Sequence, residues 1–403
     1  MKFYQMSAKD RRQLLRSQGI KLTKVNENEL KKLEQLSENV VGQISLPLGL
    51  VGKLVVNDRN YLVPMATEEP SVVAAANHGA KIFAQNGSVE AKSVRNGIYG
   101  QIVLRVKADF SLSQFEAKFP ELLNLVNDEF ASLVNHGGGV KEITARREAD
   151  LLFLRVLVDP AEAMGANKVN TILEFLGKKI TELPGIVEKL FAILTNCPSQ
   201  LTAAKVELEP AMIGGHDVAK KIALLSKIGQ ADPDRGVTNN KGIMNGVDAV
   251  LLATGNDFRA VEAATAVFAS SGGRYHSLSK WQLKDEKLVG ELTLPLPLGT
   301  VGGSIDSRAD IQQSFNILGS GITSSELANV TASIGLANNF AALLAISTEG
   351  IQAGHMKLQA RNVVARLTAS EEEKKAVLRE MIATEKYSEQ ASKDILKELR
   401  RNN

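Results

Sequence analysis

The chain has 403 residues, more than one hydrophobic core usually serves, so two or three domains are expected. Its 48 basic and 45 acidic residues leave a net charge of only +3 with no basic stripe, which argues against nucleic acid as a partner. One cysteine, Cys197, excludes an internal disulfide and fits a reducing cytoplasm.

The opening MKFYQMSAKDRRQLLRS carries charge with no apolar run after it, which is not a signal-peptide pattern. Residues 1–36 place Leu14, Leu15, Leu30 and Leu33 at helical spacing, predicting a charged amphipathic helix on a surface or dimer face. From Glu38, ENVVGQISLPLGLVGKLVVN alternates β-branched residues between Gly and Pro breaks and predicts strands. Thr67 caps a predicted helix from Glu68 through Gln85, with Pro70 tolerated in its first turn and Asn86-Gly87 as its stop.

Between Gln101 and Glu209 the predicted order is β-α-β-β-α-β, that of a ferredoxin-like split unit. It comprises the strand QIVLRVKAD, a helix Ser113–Asn135, and a hairpin of VKEITARRE and LLFLRVLVD across Glu148-Ala149-Asp150. Helical residues from Met164 to Thr195 and a last strand, LTAAKVELE, complete it. DVAKKIALLSKI predicts a helix after Gly214. The polar, glycine-punctuated stretch from Asp234 predicts a loop carrying Arg235 and Lys241, followed by a buried run Val247–Ala253. A turn at Thr254-Gly255-Asn256 then sets Asp257 at the mouth of an alanine-rich helix, a rigid way to display a reactive group. Strand-like residues ending in LPLPLGTVGG precede two mainly apolar helices, Ile311–Leu318 and Ser324–Glu349. Leu327–Thr348 is free of charge but too rich in Asn, Thr and Ser to face lipid, so it is predicted to be buried in a large domain. Ser370 with Glu373 forms a capping box opening a charged helical tail.

Taken alone, Lys241 reads as a solvated loop lysine, Asp257 as a helix cap and His355 as a surface residue. No Rossmann glycine spacing is present, and LGSGITSS lacks the third glycine. The five histidines show no paired metal-ligand spacing, so no metal is expected. Cys197 lacks a local nucleophile signature.

The motifs ENVVG (Glu38–Gly42), EEPSVVAAA (Glu68–Ala76), EAMGANKVNT (Glu162–Thr171), NKGIMNG with ATGNDFRAVEA (Asn240–Gly246 and Ala253–Ala263) and EGIQAGHM (Glu349–Met356) occur in this order. Together they resemble bacterial-type (class II) 3-hydroxy-3-methylglutaryl-coenzyme A reductase, over residues 38–366. The resemblance implies an α+β fold. A large acyl-CoA-binding and dimerisation domain would span 1–100 and 210–352, with long buried helices. A small ferredoxin-like cofactor domain would span 101–209, and a helical flap with the catalytic histidine 353–403. It further implies a cytoplasmic homodimer with shared active sites and no membrane anchor, with hexamers left open.

The implied reaction is the four-electron reduction of 3-hydroxy-3-methylglutaryl-CoA to mevalonate and CoA with two NAD(P)H. Lys241 then matches the cation that stabilises the thioester oxyanion, Asp257 the acid that orients Lys241, and Glu69 the acid that protonates the carbonyl oxygen. A helix N-terminus would lower the Glu69 pKa, so burial or a nearby Asp257 is needed to raise it. His355 matches the acid for the departing thiolate, Arg235 the fork for the substrate carboxylate, and Ser71 and Asn245 the acyl contacts. Met164, Gly165, Ala166 and Asn167 match the nicotinamide loop, with Asn196 beside them; Glu162 replaces the family's commoner Asp and is given no contact. NADPH is expected over NADH, because Phe130 aligns where NAD-selective members carry an Asp, although Asp128 and Glu129 lie just upstream. Two alternatives stand beside this reading: NAD-linked oxidative mevalonate catabolism, and a catalytically silent CoA-binding oligomer.

Overall fold

The computed structural model describes residues 2–303, 305–348 and 360–401. By contacts the chain divides into Met1–Leu48 and Gly49–Asn403. In the first unit, α1 (Ala8–Ser17) is capped by Ser7 and α2 (Glu27–Leu36) by Asn26. These two short helices replace the single helix expected. Two arginines of α1 are nearly buried and turn their guanidiniums onto backbone carbonyls: Arg11 donates to Val40 O at 3.1 Å, and Arg12 donates to Val41 O and Thr23 O. They fix ENVVG as ordered coil, where strands were expected. With its carbonyls taken by guanidiniums, the segment needs no ladder to satisfy its backbone.

The second unit opens with the hairpin β1 (Leu48–Val56) and β2 (Arg59–Ala66). Helix α3 (Val72–Gln85) begins four residues later than expected. Ser71 before it has φ +81°, a left-handed conformation that non-glycine residues rarely adopt, so residues 68–71 form a turn rather than a first helical turn. After the short β3 (Glu90–Ser93) comes β4 (Ile98–Val106), then α4 (Leu112–Glu116), α5 (Phe119–Glu129) and α6 (Ala131–Asn135), which divide the one helix foreseen. Pro120 in the first turn of α5 lacks the N–H a continuous helix would use. The hairpin β5 (Gly139–Glu148) and β6 (Leu151–Asp159) turns at Ala149, φ +53°, as expected.

Helix α7 (Ala166–Thr181) ends before Pro184-Gly185, and the rest of the predicted helical stretch is β7 (Ile186–Leu194). The four-stranded antiparallel sheet β5-β6-β4-β7 therefore carries the split β-α-β-β-α-β order, with its own core around Ile102, Leu154, Val156, Ile172 and Leu176. The strand expected to finish it, β8 (Leu201–Leu208), belongs to a second sheet. That sheet also holds β9 (Ser279–Lys284) and β10 (Lys287–Pro295), in the order β3-β8-β10-β9.

Between β8 and β9 lie α8 (His216–Ala231), α9 (Pro233–Ala253) and α10 (Phe258–Ala269). The stretch expected as a loop is thus the first half of a 21-residue helix. Asp232 caps it and Pro233 occupies its first turn. Its asparagines are anchors rather than loop residues: Asn240 Nδ2 donates to His276 O at 2.9 Å while its Oδ1 accepts from Leu278 N at 2.8 Å.

Helices α11 (Ala309–Leu318) and α12 (Ser324–Ser347) close the core. Among the described residues α12 is the one helix long and apolar enough to cross a membrane, yet 83% of its most apolar stretch is buried in protein. It passes so close to α3 that Gly79 meets the backbone of Ala337. Phe83, Trp281 and Phe340 pack beside that crossing, with ring centroids 5.2 to 6.4 Å apart. Residues 360–365 are helical and pack with α13 (Glu371–Ala383) and α14 (Glu389–Arg401) around Val364, Val377, Met381 and Leu396. Ser370 and Glu373 make the expected reciprocal cap.

Candidate active site

A cavity of about 530 Å³ lies between α3, α9 and α12. Glu69, Ser71, Arg235, Lys241 and Asn245, five of the residues singled out in the sequence, line it. Arg235, Asn245 and Lys241 share one face of α9, and the six residues from Arg235 to Lys241 span about 9 Å along the axis. Lys241 Nζ lies 2.8 Å from Glu69 Oε2, an ion pair across two elements. Both side chains remain open to the cavity mouth, at 60% and 41% exposure, so the pair is accessible to a ligand.

Arg235 has no carboxylate partner among the described residues, and burial pulls its pKa below the ordinary value, far short of neutralising it. An unpaired, half-buried guanidinium in a cavity is a place for an anion. Ser71 Oγ, buried and without a hydrogen-bond partner among the described residues, lines the same space. Ala74, Ala75, Ala341, Ala342, Ala345 and Ile346 give the cavity a narrow apolar wall. His78 and Asn338 also line it. Neither stood out in the sequence, since a lone His and an Asn inside an apolar helix carry no motif.

Asp257 is elsewhere in the protomer. Its carboxylate caps α10, accepting from Arg259 N at 3.1 Å and Ala260 N at 3.2 Å, and meets Arg259 Nε at 3.3 Å. Lys241 and the end of α9 are twelve residues apart, about 18 Å along the helix, with Asp257 beyond that end. The expected contact between Asp257 and Lys241 is therefore not made within one chain; Glu69 holds Lys241 instead. His355 lies outside the described residues, nine positions beyond Ile346 at the cavity wall.

The loop residues form a second cluster. Met164 and Asn196 line a small cleft with Tyr99, Cys197 and Ala260, which places them on the Asp257 side of the molecule. Gly165, φ +91°, precedes α7, and a Cβ there would strike Pro160. Ala166 and the exposed Asn167 open the helix, so its first N–H groups face outward, a fit for a phosphate-bearing dinucleotide. Glu162 stays structural, accepting from Ser324 N at 2.6 Å. Arg95, unnoticed in the sequence, braces the loop by donating to Ala161 O and Leu298 O at 3.1 and 3.0 Å.

The family described as hydroxymethylglutaryl-coenzyme A reductase matches residues 7–360. The chain belongs to the hydroxymethylglutaryl-coenzyme A reductase family. It is accordingly an oxidoreductase with an α+β fold. Among curated relatives, the 3-hydroxy-3-methylglutaryl-coenzyme A reductase of Archaeoglobus fulgidus is 38% identical, over 91% of this chain and 85% of the relative. The probable reductase of Borreliella burgdorferi is 36% identical, over 92% and 88%. Among solved structures, the reductase of Streptococcus pneumoniae superposes with TM-score 0.75 at 40% identity, covering 98% of this chain and 99% of that one. A class II reductase structure from the same organism, bound to NADPH in open conformations, gives TM-score 0.74 at 41% identity, covering 86% and 99%. The Glu69–Lys241 cavity, lined by α9, and the Met164 loop, beside Ala260 of α10, thus sit in a reductase fold.

Proposed function

We propose that this reductase converts 3-hydroxy-3-methylglutaryl-CoA to mevalonate and CoA in a four-electron reduction with two NAD(P)H, in the cytoplasm, for isoprenoid synthesis. One observation carries the reading: an acid–lysine pair and an unpaired arginine share a single cavity. Arg235 holds the free carboxylate of the acyl group. Lys241 meets the thioester carbonyl oxygen and stabilises its developing negative charge, where loss of such a group commonly costs about 10²–10³ in turnover. Glu69, hydrogen-bonded to Lys241, gives that oxygen its proton. Two nicotinamide cofactors, bound in turn, would supply the two hydrides needed, one at the thioester carbon and one at the aldehyde left when CoA departs. His355 protonates the departing thiolate, and Ser71 and Asn245 steady the acyl chain.

Met164, Gly165, Ala166, Asn167 and Asn196 are the residues to hold the cofactor, on a small module whose sheet β5-β6-β4-β7 runs from Ile98 to Leu194, shorter than the expected 101–209 because β8 pairs in the second sheet. The tail from 353 serves as the flap that carries His355. NADPH is the favoured cofactor. Phe130 turns inward onto Phe175, leaving no carboxylate at that position, and Lys168 Nζ lies 5.9 Å from the Phe130 ring with no acidic partner among the described residues. A lysine at the start of α7 attracts a 2′-phosphate.

The distance from Lys241 to Asp257 gives the oligomer its role. Asp257 lies with the cofactor cluster, so a two-fold dimer that unites one protomer's acyl cavity with its partner's cofactor side also brings Asp257 to Lys241. ENVVG, held rigid by Arg11 and Arg12, is the proposed dimer surface. Following absorbance at 340 nm with 3-hydroxy-3-methylglutaryl-CoA and each cofactor, and with mevalonate, CoA and each oxidised cofactor, tests the whole reading. Thioester-dependent oxidation of NADPH, with a higher kcat/KM than for NADH, is expected. Absence of turnover in both directions sinks the function, and a preference for NADH sinks the cofactor assignment.

A further inference from the structure

Three of the amides lining the acyl cavity, Asn239, Asn338 and Asn339, are buried in the protein. Two of them are fully occupied by the fold. Asn339 Oδ1 accepts from Trp281 Nε1 at 2.8 Å, and its Nδ2 donates to Asn239 Oδ1 at 2.8 Å. Asn239 in turn donates to Ser277 Oγ and, at 3.0 Å, to Ser279 Oγ. On α12, Thr331 and Ser333 are satisfied locally, on Leu327 O at 2.7 Å and Asn329 O at 2.8 Å, while Asn329 Oδ1 and Ser347 Oγ, neither of them in the cavity lining, have no partner among the described residues. Among the three buried amides of the cavity, Asn338 is different. It is 4% exposed, its Oδ1 has no partner, and no hydrogen bond from its Nδ2 is made among the described residues.

Leaving a buried amide unbonded is costly, and a chain that carries one inside a ligand cavity has a use for it. Asn338 is also held in place. A Cβ built on Gly246 would come 3.1 Å from Asn338 Cγ, so α9 confines the carboxamide at the turn that carries Gly242 and Asn245. That turn immediately follows Lys241. In the proposed substrate the carboxylate is met by Arg235 and the thioester by Lys241 and Glu69. The polar group left over is the tertiary 3-hydroxyl, two carbons from the thioester carbonyl and so beside Lys241. A hydroxyl both donates and accepts, and a carboxamide offers both, whichever end is turned to the cavity.

We infer that Asn338 is the residue that recognises the 3-hydroxyl of the acyl group and sets the specificity for 3-hydroxylated glutaryl thioesters over their deoxy analogues. This rests on the function proposed above and deepens it. A site built to bond a hydroxyl rejects the analogue without it far more strongly than a shape-matched apolar pocket does.

The test compares Asn338→Ala with the native enzyme in two measurements: kcat/KM for 3-hydroxy-3-methylglutaryl-CoA, and the Ki of 3-methylglutaryl-CoA, which lacks the hydroxyl, as a competitive inhibitor. The variant is expected to lose about 10–100-fold in kcat/KM for the hydroxylated substrate, the worth of one buried hydrogen bond, while the Ki of the deoxy analogue stays within about twofold. Its melting temperature without ligand is expected to hold or rise, because an unbonded amide gives way to alanine in an alanine-rich helix. Asn338→Ser, too short to reach the hydroxyl, is expected to show the same split and serves if the alanine variant does not fold. Equal losses for both ligands, or an unchanged kcat/KM, would overturn the assignment. A native enzyme that does not turn over the hydroxylated thioester instead fails the proposed function, a result distinct from either.

Discussion

Arg235 is the residue whose environment speaks most directly about a ligand. It is half-buried, lines the cavity that holds Glu69 and Lys241, and has no carboxylate partner among the described residues. Truncating it to alanine removes a charge-assisted bidentate contact, so KM for the thioester is expected to rise about 10–100-fold with a smaller change in kcat. An unchanged KM in steady-state assays would take the carboxylate away from Arg235. Asp248 on α9 offers a second residue-level prediction. Burial, with the neighbouring Glu262 carboxylate, pushes its pKa up to about 8, and its Oδ1 has no partner. A carboxyl with a raised folded pKa contributes stability that is complete below its unfolded pKa and is lost as pH rises through the folded one. The melting temperature should therefore fall between about pH 4 and pH 8 from this group, and Asp248→Asn should flatten that slope. A variant whose melting temperature tracks the native protein across that range would show Asp248 to be ionised throughout. Of the residues singled out in the sequence, Glu69, Ser71, Arg235, Lys241 and Asn245 gather as motif matching implied. Asn338 was invisible, because its meaning lies in the hydrogen bond it does not make.

At the level of elements, the sequence conveyed the split β-α-β-β-α-β order but misplaced its last strand. The β-branched and apolar residues of Ile186–Leu194 continue a helical pattern by composition, and only the break at Pro184-Gly185 marks the change. The error at α9 has a different cause. Gly236 and Gly246 read as loop punctuation, yet they are points where the helix lies so near the 276–277 backbone and α12 that a Cβ would make tight contacts of 3.0 to 3.3 Å. Propensity lost to packing. The same logic makes Gly79 a sensitive position, since a Cβ there would lie inside contact distance of the Ala337 backbone. Gly79→Val is expected to destabilise the protein by about 3 kcal/mol or more, because neither helix backbone can yield cheaply. A denaturation midpoint within error of the native one would show that α3 and α12 can separate. The caps on α10 and α13 were legible, because Asp257 and Ser370 with Glu373 satisfy N–H groups within their own sequence neighbourhood.

At the scale of the whole molecule, one protomer keeps the parts of the proposed reaction apart. Glu69, Lys241 and Arg235 lie in the acyl cavity, while Asp257 follows the far end of α9 and shares a side with Met164 and Asn196. Motif order in the sequence could not reveal this, because sixteen residues separate Lys241 from Asp257 whether the chain between them loops back or runs straight as a helix. A straight helix makes the second copy part of the chemistry. The measurement that tests this most directly mixes Lys241→Ala subunits with Asp257→Ala subunits, each first shown to be folded, dimeric and inactive alone. In a mixed dimer one composite site collects both defects and the other collects neither. Random reassortment makes about half the dimers mixed, so about a quarter of native activity should return. A mixture of Glu69→Ala with Lys241→Ala, both in the acyl cavity, should return none. If mixed dimers are demonstrably present and the Lys241→Ala and Asp257→Ala pair stays at the level of its parents, the active site lies within one subunit and the composite-site account is contradicted.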